Sequence, residues 1–143
     1  MAQSGTSWAQ KPPYRAPPED FQPKLLGRCH CGQVKYLLRR DAPLASKFCH
    51  CDDCKSIHGA PFQWAAIFHK TDMAFYHLDP TDLQFYNSMG EGNGEEVKPP
   101  LPCKVRCSKC GTLLLDEGRN MVLLFLTTLR FPSEEARRKF DVQ

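Results

Sequence analysis

Cys29-His30-Cys31-Gly32-Gln33-Val34 and Cys107-Ser108-Lys109-Cys110-Gly111-Thr112 decide the fold of this chain. Each stretch offers two cysteines and follows them at once with a glycine. A glycine there permits the tight turn that aims backbone N–H groups at thiolate sulfurs. Two such turns supply the four thiolates of a closed tetrahedral zinc site, in the manner of a zinc ribbon. Such a site fixes the first strand of a domain against a late one.

Between them lies Cys49-His50-Cys51-Asp52-Asp53-Cys54. Three thiolates from one short loop reach one metal and leave its fourth position to be filled. Structural zinc is closed by four ligands, whereas catalytic zinc keeps three and an open place. The count therefore predicts two zinc ions, one structural and one catalytic. His50 and Asp52 alternate with the ligands and are expected to point away. Asp53, His58 and Cys103 are the other internal candidates for the fourth ligand. Cys103 would complete an all-cysteine site; the reading preferred here leaves it as a spare thiol in a flexible loop.

The competing use of clustered cysteines is a disulfide framework. A C-x-C pair is badly placed to bridge itself, and no apolar leader opens the chain. No segment reaches the ~18 apolar residues of a membrane span. The expected setting is cytoplasmic, or nuclear, where thiols stay reduced and clustered cysteines bind metal. The formal charge is +3. Seven thiolates and two divalent ions would cancel it, which argues against a nucleic-acid partner held by net charge.

At 143 residues the chain is read as one domain. Residues 1–23 carry five prolines and few aliphatics, and read as a tail, wrapped or more simply mobile. Residues 24–143 form the folded unit. Alternation predicts a half-buried strand at Val34–Leu38; strands follow at Phe62–Phe68, Met73–Leu78, Leu83–Tyr86, Leu113–Leu115 and Met121–Leu126. A polar loop opens at Gly90 and runs to Pro102. Ser133 is an N-cap for a short C-terminal helix with Glu134 and Glu135 in its first turn and Arg137, Arg138 and Lys139 in its last. The fold class is mainly β.

Cys29-His30-Cys31-Gly32-x-Val34, Phe48-Cys49-His50-Cys51-x-x-Cys54 with Gly59-Ala60-Pro61-Phe62, and Cys107-x-x-Cys110-Gly111-Thr112 together resemble the glutathione-dependent formaldehyde-activating enzyme family, which includes centromere protein V. The resemblance runs from about Leu25 to Leu129. It implies a β-tent fold of twisted antiparallel sheets, a structural zinc on Cys29, Cys31, Cys107 and Cys110, and a catalytic zinc on Cys49, Cys51 and Cys54. It implies carbon–sulfur lyase chemistry on S-(hydroxymethyl)glutathione or a related glutathione conjugate, a small-molecule thiol. A non-catalytic zinc-binding adaptor, like centromere protein V, is the alternative.

His58, four residues past Cys54, is the candidate general base, weighed against a merely structural histidine. Gly59 shapes a turn and offers an N–H to a substrate carboxylate. Gln63 and Trp64 are candidates for the glutathione pocket, with Trp64 alternatively simple core. Lys55 and Arg106 are candidate partners for glutathione carboxylates.

Overall fold

The computed structural model of the chain describes residues 7–94 and 98–142. Ten strands form two antiparallel sheets, and among the described residues the α-helices are two and short. The four-stranded sheet has the order β10-β1-β2-β5, built from β1 (Leu25–Arg28), β2 (Lys35–Leu38), β5 (Met73–Tyr76) and β10 (Leu129–Arg130). The six-stranded sheet has the order β3-β4-β9-β8-β7-β6. Its strands are β3 (Ala45–Cys49), β4 (Gln63–His69), β6 (Leu83–Tyr86), β7 (Cys103–Cys107), β8 (Leu113–Glu117) and β9 (Met121–Phe125). Helix α1 (Asp52–His58) leaves the end of β3, and α2 (Glu134–Arg138) closes the chain. This is the mainly β architecture of antiparallel sheets expected, here two in number.

The sheets pack on one shared core. Leu25, Tyr36, Leu38, Met73 and Phe75 come from one sheet; Ala66, Phe68, Val105, Leu115, Val122 and Leu124 come from the other. Strand alternation dictates the choice, since side chains two apart share a face. In β7, Cys103, Val105 and Cys107 join this core, while Lys104 and Arg106 take the opposite face. That second face of the six-stranded sheet carries α1, and there the functional geometry lies.

Residues 7–23 are not a loose tail. Ser7–Gln10 forms a 3-10 turn, and Tyr14 and Phe21 are buried. The Phe75 amide donates to the Pro13 carbonyl at 3.0 Å. Tyr14 stacks on Phe75 at 5.5 Å and its hydroxyl donates to Glu117 at 2.6 Å. Three aromatic residues (Trp8, Tyr14 and Phe21) anchor a proline-rich strap on the sheet, so the wrapped alternative holds for these residues and the simpler mobile one does not. Residues 1–6 of the segment, and residues 95–97 of the expected polar loop, lie outside the described residues.

Cys103 corrects a second expectation. It opens β7 and is 2% exposed in the core, so it is no loop thiol. Burial pushes its thiol up to about 11, which suits a small core side chain. The helix after Ser133 forms as expected, with the Ala136 amide donating to the Ser133 hydroxyl at 3.1 Å. Phe140 beyond it is fully buried against Phe131 and Phe68.

Candidate metal centres

The first cysteine pair occupies the β1–β2 turn and the last pair the β7–β8 turn. The two turns repeat one design. Cys29 N–H donates to Val34 carbonyl and Cys107 N–H to Thr112 carbonyl, each at 3.0 Å. Gly32 and Gly111 have φ of 81° and 76°, the left-handed region that other residues enter only with strain. The Val34 amide donates to Cys29 Sγ at 3.3 Å, and His30 N–H crosses to Thr112 Oγ1 at 3.0 Å. The four sulfurs all lie within 4.8 Å of one another. Cys29–Cys31 and Cys31–Cys107 Sγ separations are 3.6 and 3.8 Å. A tetrahedron of sulfurs ~2.3 Å from a zinc ion has edges of ~3.8 Å, so the donor set fits that ion. Against the upward push of burial, hydrogen bonds from Thr112 and neighbouring amides hold the Cys110 thiol down at about 5. This cluster joins a turn of one sheet to a turn of the other, so a metal there can staple the two.

The triplet stands at the junction of β3 and α1. Cys49 ends the strand; Cys51 is the N-cap of the helix, its sulfur accepting from the Cys54 amide at 3.3 Å. Cys54 follows in the first turn and is buried. The three sulfurs lie within 4.8 Å of one another, with Cys49–Cys51 at 3.6 Å. Among the described residues, no further cysteine, histidine or carboxylate joins them at that spacing. His50 turns its ring to Phe62 and Phe48, and Asp52 pairs with Lys55 at 3.4 Å, so both point elsewhere as expected. The Cys54 amide and thiol hold the Cys51 thiol below its ordinary value; burial, with its sulfur neighbours, pushes Cys54 up to about 12. The two thiols are thus shifted in opposite directions.

A family model described as glutathione-dependent formaldehyde-activating enzyme matches residues 24–137. The chain belongs to that family. Glutathione-dependent formaldehyde-activating enzymes are proteins of glutathione-related chemistry, and among the described residues the two cysteine clusters are groups that could hold a metal ion. A crystal structure of a Rhodobacter sphaeroides protein is similar in fold, with a TM-score of 0.56 at 18% identity. The match covers 82% of this chain and 96% of that one. No curated protein matches the chain.

Within this family member, the face of the six-stranded sheet beneath α1 gathers part of the expected site. β3 and β4 pair Cys49 with Gln63, so the buried Gln63 shares the face of the triplet's first sulfur. His58 ends α1 and lies edge-on to Phe125 at 4.5 Å. Its Nε2 is buried and has no hydrogen-bond partner among the described residues. Burial, then the charge of Lys104, holds the His58 pKa below its ordinary 6.5, so the imidazole is neutral at pH 7.

Trp64 goes the other way. It pairs with Phe48 and packs against the main core. Gly59 adopts φ 60° as the C-cap of α1, and its N–H closes the cap onto Lys55 and Ser56 carbonyls. Lys55 and Arg106 are exposed, Lys55 on Asp52 and Arg106 on Gln84.

Two residues that the sequence reading passed over complete this face. Lys104 is 7% exposed, with Nζ 2.8 Å from Gln63 Oε1 and 2.9 Å from the Asp116 carboxylate. Its ammonium lies 5.6 Å from the Phe125 ring centre. The alternation Cys103-Lys104-Val105-Arg106-Cys107 was the available signal: it sets Lys104 on the non-core face.

Proposed function

We propose that the chain is a zinc-dependent carbon–sulfur lyase acting on glutathione adducts, forming or cleaving S-(hydroxymethyl)glutathione or a related conjugate. The observation that supports it most is a cluster of three thiols with no fourth protein ligand beside it among the described residues, close to a neutral histidine whose buried Nε2 has no hydrogen-bond partner among them. Cys29, Cys31, Cys107 and Cys110 would hold a structural zinc; Cys49, Cys51 and Cys54 would hold the second. When bound there, zinc supplies a Lewis acid that keeps a substrate sulfur as thiolate at neutral pH.

In cleavage, the hydroxyl proton of the hydroxymethyl group passes to His58. The oxygen electrons form the carbonyl, the carbon–sulfur bond breaks, and its electron pair stays on sulfur. Formation runs in reverse: the thiolate attacks the aldehyde carbon and His58 returns the proton to oxygen. Helix α1 carries Cys54 and His58 one turn apart, so the helix itself sets the distance between sulfur site and base. Gln63 and Lys104 floor the site with polar groups that other side chains already hold in place.

Exchange between free and adduct glutathione, followed by NMR, tests the reading. Wild type should speed the exchange, and Cys51→Ser should abolish the effect, because two thiolates hold zinc weakly. Equal rates for the two proteins, over several conjugates, would remove the enzyme and leave a zinc-binding adaptor.

A further inference from the structure

We propose that Lys104 is the fixed counter-cation of the triplet site: its ammonium, locked between Gln63 and Asp116 beside helix α1, offsets the negative charge that thiolates bring to one metal and so selects an anionic thiolate as the fourth ligand. Three thiolates and a divalent ion already leave one negative charge, and a substrate thiolate makes it two. In a partly buried place that charge is costly unless a cation stands near it.

The geometry supplies one. Lys104 is a buried lysine, a rare state that needs a reason. It emerges from β7 on the face that α1 covers. Its acceptor Gln63 pairs directly with Cys49, and it shares Phe125 as a neighbour with His58. Two of its three N–H groups are used, on Gln63 and Asp116. Asp116 does not cancel its reach. The carboxylate is the more exposed partner, 18% against 8%, although its Oδ1 is buried. Lys104 acts on His58 more strongly than Asp116 does. The four-cysteine cluster has a different arrangement: its nearby lysine, Lys109, is exposed and only grazes Gln33 at 3.5 Å. A closed site needs no charge selection for an incoming ligand.

The inference rests on the triplet accepting a thiolate, yet its test has an arm that does not. In a chelator titration of the zinc-loaded protein, exposed thiols are alkylated and mapped by mass spectrometry. Lys104→Met should free Cys49, Cys51 and Cys54 at about tenfold lower chelator, with Cys29, Cys31, Cys107 and Cys110 protected as in wild type. Lys104→Arg should restore most of the loss. Asp116→Asn should shift release the opposite way, which a mere fold-supporting pair would not do; this arm stands even if Lys104→Met fails to fold. In the second arm, cobalt-loaded Lys104→Met should bind glutathione about tenfold more weakly and S-methylglutathione, a neutral thioether, unchanged. Release of the triplet metal at equal chelator in wild type and Lys104→Met, or weakening by Asp116→Asn, would overturn the inference. Absence of any glutathione response in wild type would instead defeat the proposed function, with the chelator arm still deciding the role of Lys104.

Discussion

At the scale of residues, one histidine and its protonation state matter most. Burial and the neighbouring Lys104 keep His58 neutral below its ordinary pKa of 6.5. A base must be deprotonated to act, so activity should persist as pH falls through 6.5 and drop only below it. The rate profile should therefore show its acid limb under pH 6.5. His58→Ala should lower exchange by about two orders of magnitude and erase that limb. A histidine that merely fills space beside Phe125 would leave the profile unmoved, and a limb at or above pH 6.5 would contradict the assignment. The position of His58 was legible from its spacing after Cys54. Its state was not, because desolvation and a charge from β7, forty-six residues later, set it.

At the scale of elements, the two clusters sit on different kinds of structure. Cys107 belongs to a turn that faces a turn of the other sheet, whereas Cys54 lies in a seven-residue helix packed on one sheet face. Loss of a metal ligand removes whatever that metal joins. Cys107→Ser should thus lower Tm by about 15 °C or more, and Cys54→Ser by about 5 °C or less, read by circular dichroism on protein purified without chelator. Elemental analysis should give two zinc ions for wild type and one for Cys54→Ser. Equal melting losses would show that both clusters staple the fold. The strands at Leu83–Tyr86 and Met121–Phe125 were readable from apolar runs. Helix α1 was not: Asp52-Asp53-Cys54-Lys55-Ser56-Ile57-His58 has no apolar stripe, since it buries little beyond Cys54. A cap made by the Cys51 sulfur and a glycine stop at Gly59 define it instead. Strand β7 was hidden because Cys107 read as a ligand and Cys103 as a loop thiol, while Arg106 read as surface.

At the scale of the whole molecule, one buried carboxylate ties the N-terminal strap to the sheet. Glu117 accepts from Tyr14 at 2.6 Å and pairs with Lys70 and Lys98, each at 2.7 Å. Burial pushes its pKa up, yet Lys70, Lys98 and Tyr14 together bring it below the ordinary 4.5. A carboxylate with a depressed folded pKa stabilises fully above its unfolded value. That contribution is lost as pH falls from about 4.5 through the lower folded value. Wild type should therefore lose stability as pH falls below about 4.5, and Glu117→Gln should lose less there. Tyr14→Phe should cost about 1–3 kcal/mol in urea titrations at pH 7, because it leaves a buried acceptor short of a donor. An unchanged midpoint for Tyr14→Phe would mean that the strap is held by apolar contact alone.

The sequence by itself determined the β class and the two cysteine clusters that could hold metal, split into four thiols and three. Those follow from residue type and short spacing, which turns and strands impose locally. Only the tertiary structure decided which side chains surround the triplet. It set Gln63 with the sulfurs and Trp64 with the core, placed Cys103 out of reach, and brought Lys104 and Asp116 under α1. Such neighbours come from strands far apart in the chain, and strand order and register, absent from any local pattern, choose them.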